Sequence, residues 1–272
     1  MIDKKWLQKE AADYIEQSNE NRIGHTDGLS GDIDSFRIFD DPIFAIGSAA
    51  DDLFTRLKQP AVIGEHVLLP KDWLPSARTV ISYFFPFSEE VKRGNSRDMS
   101  WPSAEWLYAR IEGQQLLDKL GLFMQKLLTD AGFDSVIPSL DDRFWSNSGD
   151  PELKGAFTSN WSERHAAYIC GLGTFGLSKG LITAKGIAGR FGSIVTALSL
   201  PPDQRDYREI YEYCNLCGQC INNCPVQAIT IEDGKNHVPC KMFLNKTKER
   251  CDPRYGCGKC QVHVPCESGI PI

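Results

Sequence analysis

The twelve residues C-N-L-C-G-Q-C-I-N-N-C-P at 214–225 constrain this chain more than any other stretch of it. Four thiols, Cys214, Cys217, Cys220 and Cys224, are separated by two, two and three residues, and a proline follows the last. Thiolates are soft, anionic donors suited to iron, and four of them complete a cubane cluster. Small residues and short gaps let the backbone wrap such a cluster and aim its amides at the sulfurs. A zinc knot is the plainer alternative. Spacing of two, two and three closed by proline favours iron–sulfur.

In bacterial ferredoxins, three thiolates of this run hold one cluster and the fourth reaches a second. A second 4Fe–4S cluster needs further ligands, and Cys240, Cys251, Cys257, Cys260 and Cys266 supply them at irregular spacing. Cys214, Cys217, Cys220 and Cys266 are expected on one cluster. Cys224, Cys240, Cys257 and Cys260 hold the other, with Cys251 as a substitute for Cys240. Cys170 sits in a helical apolar pattern and reads as a packed core thiol. The N-terminus is charged, and no run of about 18 apolar residues occurs. These features predict a cytoplasmic protein without membrane contact, where thiols stay reduced and serve metals rather than disulfides.

Apolar spacing predicts helices over 3–18 and 103–132, with a polar loop over 20–34 between the first helix and the core. Ser48 is a candidate cap for a short helix over 49–57, and Ser162 for one over 162–169 that stops at Gly171. Residues 79–85 read as a buried strand, with further strands at 135–137, 180–183 and 193–198. Pro201 and Pro202 mark a change of composition. The expected fold is α+β, an α/β core over 1–205 followed by a ferredoxin-like double-cluster domain over 206–272.

C170-G-L-G-T-F-G176 spells G-x-G-x-x-G, a dinucleotide fingerprint where a strand precedes it, a helix follows it and an acid stands about 20 residues on. Here a helical pattern precedes it and a β-like one follows. No Asp or Glu occurs between Gly176 and Pro202. The glycines therefore serve tight turns or a close approach to something other than NAD or FAD.

Taken together, S162-E-R-H-A-A-Y-I-C-G-L-G-T-F-G-L-S-K-G-L-I-T183, R190-F-G-S-I-V-T196 and the cysteine run resemble the epoxyqueuosine reductase and reductive dehalogenase superfamily. The resemblance implies a nitroreductase-like core and a cobalamin reduced by the clusters. It places Gly171, Gly173, Thr174, Phe175, Gly176, Leu177, Ser178 and Ser193 against the corrin, and it agrees with the crossed ligand pairing. Epoxyqueuosine reductases carry an Asp in a D-[ST]-[AG]-P-V-x-E segment; in register on Glu163 this chain has Phe157 there, which cannot transfer a proton. That departure argues against queuosine synthesis. The net charge of −6 and the short stretch after Cys266 argue further against tRNA. A respiratory dehalogenase would be expected to carry an export signal.

The leading expectation is an iron–sulfur, cobalamin-dependent reductase, fed by a donor such as ferredoxin or flavodoxin and acting on a small molecule. Its rivals are an electron carrier that reactivates a corrinoid protein and a flavin-binding iron–sulfur reductase. Tyr168 and His165 are the candidate proton donors, and Lys179 and Arg190 the candidate anion contacts. The remaining histidines, His25, His66, His237 and His263, are scattered.

Overall fold

The computed structural model describes residues 2–24, 35–150 and 156–272; His25 and most of the predicted 20–34 loop lie outside them. Helix α1 spans Lys4–Gln17, where the Asp3 carboxylate accepts from the Trp6 amide at 2.8 Å and Leu7, Ala11 and Ile15 face inward at helical spacing. Strands β1 (Ile43–Ser48) and β2 (Thr79–Pro86) follow. Helix α2 (Glu89–Ser96) and the 27-residue α3 (Ala104–Asp130) come next, the latter capped by Ser103. After the short β3 (Ser135–Val136) comes helix α4 (Glu163–Cys170). A hairpin of β4 (Gly173–Phe175) and β5 (Leu181–Thr183) leads into the long β6 (Gly189–Thr196). The cysteine-rich segment adds a hairpin of β7 (Ile229–Thr230) and β8 (Gly234–Lys235), then helix α5 (His237–Cys251).

The central sheet has the order β1-β2-β6-β3 and is antiparallel throughout. Ile81, Tyr83 and Phe85 of β2 enter the core beneath α1 and α3, while Val80 and Phe84 enter the one beneath α4. Both faces are covered, which explains why β2 reads as a continuous apolar run instead of an alternating one. Each fully buried Leu or Ile in these layers contributes roughly 1.5–3 kcal/mol.

Two capping expectations differ. The short helix after β1 begins at Asp52 and is capped by Asp51, whose carboxylate accepts from Leu53 N at 3.0 Å, while the Ser48 hydroxyl accepts from Ala50 N instead. Ser162 makes no cap bond to α4; its hydroxyl pairs with His165 Nδ1 at 2.7 Å. Gly171 does end α4, at φ +105°.

The cysteine-rich segment is seated on the core by polar contacts of several kinds. Asn95 Nδ2 donates to Cys257 O at 3.0 Å, and Lys92 Nζ to Ser268 Oγ at 2.8 Å. Arg254 pairs with Glu112 while its guanidinium lies 3.7 Å from the Tyr108 ring centroid. Backbone bonds from Phe175 N to Ile210 O and from Ile187 N to Cys266 O add to the seam.

Candidate functional site

Two thiol-lined cavities lie within this segment. Cys214, Cys217, Cys220 and Cys266 line one, together with Gly176 and Ser178 of the glycine turn. Cys224, Cys240, Cys257 and Cys260 line the other, about 170 Å³ in volume, and Arg110, Arg190 and Lys235 share its walls. The chain crosses between the two sets after Cys220 and returns at Cys266. Cys240, near the start of α5, reaches a cavity, whereas Cys251 at its end lines neither. Cys170 is buried in the core, its Sγ directed at Val80 O at 3.5 Å.

Local conformation explains how so few residues bring four thiols round a hollow. Gly218 takes φ +72° between Cys217 and Cys220, and Gly258 takes φ +69° between Cys257 and Cys260. Each glycine opens a short helical turn, Gln219–Asn222 in one case and Lys259–Gln261 in the other. C217-G-Q-C220 and C257-G-K-C260 are thus the same device used twice. The repeated C-G-x-C was the available signal, obscured by the irregular gaps around its second copy.

Among the described residues no three His, Cys, Asp or Glu converge closely enough for a single metal ion. Thiols spread round a hollow suit a polynuclear iron–sulfur group instead. Burial pushes the thiols of Cys220 up to about 11 and of Cys257 and Cys266 up to about 12, so they ionise only where a metal supplies positive charge. Ala228 N already donates to Cys224 Sγ at 3.2 Å.

The glycine turn is engaged with the chain's own atoms. A Cβ at Gly173 would stand 1.9 Å from Ile182 O, so glycine is required by the pairing of β4 with β5. Thr174 Oγ1 accepts from Tyr213 N at 2.8 Å, and Ser193 Oγ accepts from Trp161 Nε1 at 3.0 Å. Six of the eight predicted contact residues are buried; Gly171 and Phe175 are half-buried. Gly176, Leu177 and Ser178 line the smaller thiol cavity. The larger thiol cavity falls short of the roughly 300–1,000 Å³ that even a drug-sized ligand occupies.

The candidate proton donors lie apart from both thiol cavities. Burial, and then the charge of Arg164, pull His165 down to about 4, leaving it neutral against the Phe175 ring. Burial raises the Tyr168 phenol, whose ring sits between Phe175 and Tyr207. Lys179 and Arg190 do not form a pair: Lys179 accepts at its carbonyl from Arg164, while Arg190 lines the larger thiol cavity. Phe157 takes φ +59° and stacks on His237 with centroids 5.3 Å apart.

One acid escaped the sequence reading. Both carboxylate oxygens of Glu163 are sealed from solvent and lack a hydrogen-bond partner. Burial lifts this carboxyl to about 7, against the opposing pull of the nearby Ser193 and Trp161 groups. Its position at the start of α4 carried no mark of depth.

Comparisons with known proteins bear on the first cysteine run and on the fold. Residues 207–230 match the family model of the 4Fe–4S binding domain. Epoxyqueuosine reductase of Staphylococcus aureus is 24% identical over 99% of this chain and 67% of its own length. The Bacillus cereus enzyme is 24% identical over 74% of this chain, which spans only 51% of that protein. In fold, the chain resembles a crystal structure of epoxyqueuosine reductase with an epoxyqueuosine-modified tRNA-Tyr stem loop, at TM-score 0.51 and 18% identity over 98% of this chain and 67% of that one. It also resembles a catabolic reductive dehalogenase, at TM-score 0.52 and 16% identity over 85% and 30% of the two chains.

Fold, thiol cavities and the family match define an iron–sulfur protein of mixed α/β architecture, related to oxidoreductases. More narrowly, the chain is a divergent homologue of the epoxyqueuosine reductases and a structural relative of the reductive dehalogenases. No described helix is long and apolar enough to cross a membrane. The expectation that tRNA is an unlikely partner is overturned, because a protein of this fold was crystallised with a tRNA stem loop. Net charge sums the whole surface, whereas phosphate recognition needs only a local basic patch.

Proposed function

We propose that this chain is an epoxyqueuosine reductase-like iron–sulfur reductase that carries two 4Fe–4S clusters and delivers electrons singly to a reducible acceptor. The observation that carries the reading is the division of eight cysteines between two four-thiol cavities. Cys214, Cys217, Cys220 and Cys266 would hold one cluster, and Cys224, Cys240, Cys257 and Cys260 the other. Four-iron clusters supply one-electron chemistry, with potentials set by charge, hydrogen bonding and exposure. The chain's own part is to hold the thiols round each hollow, donate amides to sulfur and fix the tail on the core. The core over 1–205 is read as nitroreductase-like, and 206–272 as the ferredoxin-like domain.

Use of cobalamin rests on the family resemblance, and the enclosed glycine turn does not add to it. The same enclosure, with Cys217 exposed at the segment's surface, favours a second reading: a carrier passing electrons to a corrinoid held by a partner protein. Tyr168 and His165 are weak proton donors in their present surroundings, and Glu163 joins them as the acid nearest neutrality. The relatives' substrate puts tRNA among the acceptors to be tested.

An anaerobic absorption spectrum of the iron-loaded protein, alone and with added cobalamin, tests these readings. Iron–sulfur bands with about eight iron per chain are expected for two four-iron clusters. A corrinoid bound in equal amount supports the cobalamin-dependent enzyme. Clusters without corrinoid affinity support the carrier, and flavin bands would overturn both.

A further inference from the structure

The two thiol cavities are chemically unequal. No charged side chain lines the one formed by Cys214, Cys217, Cys220 and Cys266. Arg110 from α3, Arg190 from β6 and Lys235 from β8 all line the other. A fourth cation, Lys259, stands between the ligand candidates Cys257 and Cys260 and is fully buried.

These cations lack anionic partners, although Lys259 donates to Asn95 O and Asn95 Oδ1. None forms an ion pair with a carboxylate among the described residues. The Nε atoms of Arg110 and Arg190 are buried without a hydrogen-bond acceptor. Arg190 donates elsewhere only to Arg110 O, and Arg110 lies 4.4 Å from the Tyr255 ring centroid. The Lys235 ammonium lies beside Cys240 and Cys260. Holding one fully buried and three half-buried positive charges close together is costly unless an anion sits among them. Four thiolates around a cluster provide that anion.

We propose that Arg110, Arg190, Lys235 and Lys259 form a fixed cationic surround that favours the reduced state of the cluster held by Cys224, Cys240, Cys257 and Cys260. Reduction adds one negative charge to a cluster. Nearby fixed cations therefore raise the potential, and the low-dielectric interior strengthens their effect. The cluster at Cys214, Cys217, Cys220 and Cys266, without such cations, has the lower potential. An electron reaching either group comes to rest at the one walled by the core residues Arg110 and Arg190.

The inference rests on the two-cluster reading, and its test separates the two failures. In an anaerobic redox titration of the iron-loaded full chain, followed by electron paramagnetic resonance, two midpoints are expected. They should differ by at least tenfold in reduction constant, about 59 mV for one electron. With Cys217→Ala and Cys220→Ala combined, the surviving signal should be the higher one. Arg190→Met and Lys235→Met should each lower that midpoint and leave the other in place, while Arg190→Lys should keep it. Lys235 stands on a partly exposed hairpin, so its variant decides the matter should Arg190→Met not assemble. Iron content near zero in the wild-type chain would sink the cluster reading itself. Clusters that share one midpoint, or that shift together in the Lys235 variant, would overturn the cationic surround alone.

Discussion

Lys259, carried by the cysteine-rich segment, buries its ammonium against α2, donating to Asn95 O at 2.5 Å and Asn95 Oδ1 at 2.8 Å. Asn95 in turn donates from Nδ2 to Cys257 O, and its Oδ1 accepts from Ser103 N at 3.1 Å. One core side chain therefore ties a candidate ligand loop to the start of α3. Asn95→Ala should remove an acceptor from a buried cation at a cost of about 1–3 kcal/mol. Thermal unfolding of the iron-loaded protein should shift down by several degrees. A melt equal to wild type would mean that the tail is seated by its other contacts.

Gly173→Ala separates a structural turn from a binding one. The added Cβ meets Ile182 O, a backbone atom that cannot swing aside, so the β4–β5 hairpin must distort. Overpacking of this kind costs about 1–3 kcal/mol. The loss should appear in chemical unfolding of protein to which no corrinoid has been added. A variant of wild-type stability that had lost corrinoid affinity would return the turn to the role its family resemblance implies.

Local sequence signals carried much of this architecture, and long-range convergence carried the rest. The β2 run, the long α3 and the Gly171 stop were legible because each depends on neighbours within one element. The three-residue gap closed by proline set Cys224 apart from Cys214, Cys217 and Cys220, whereas the irregular second run did not mark where Cys240, Cys251, Cys257, Cys260 and Cys266 belong. Arg110 and Arg190 are 80 positions apart, and only the crossing of α3 over the antiparallel sheet brings them to one cavity. The burial of Glu163 was equally hidden, since a helix-start Glu ordinarily faces solvent and favours the helix dipole. The glycines of 171–176 were recognised as demanding, yet the close neighbour that Gly173 needs is its own strand partner.

Iron content distinguishes the two cysteines of α5. Cys240 reaches the larger cavity and Cys251 does not, although they share one helix. Cys240→Ser should lose close to half of the bound iron, about four of eight atoms per chain for one cubane cluster. Cys251→Ser should keep it all. The reverse pattern would exchange the two residues in the ligand set.

Glu163 should give the protein a stability that depends on pH. Its carboxyl titrates near 4.5 when the chain is unfolded and is raised to about 7 in the fold, chiefly by burial. The native state thus holds the proton more tightly than the unfolded state does. The favourable contribution is fully present below about 4.5 and is lost as pH rises through about 7. A shift of this size corresponds to about 3 kcal/mol at most. Glu163→Gln places a neutral group of the same shape there and removes the ionisation. Urea unfolding at about pH 5 and about pH 8, either side of the folded-state titration, should show the variant gaining on the wild type at the higher pH by up to that amount. A stability difference identical at the two values would show that the carboxylate reaches water, and would remove Glu163 from the candidate acids.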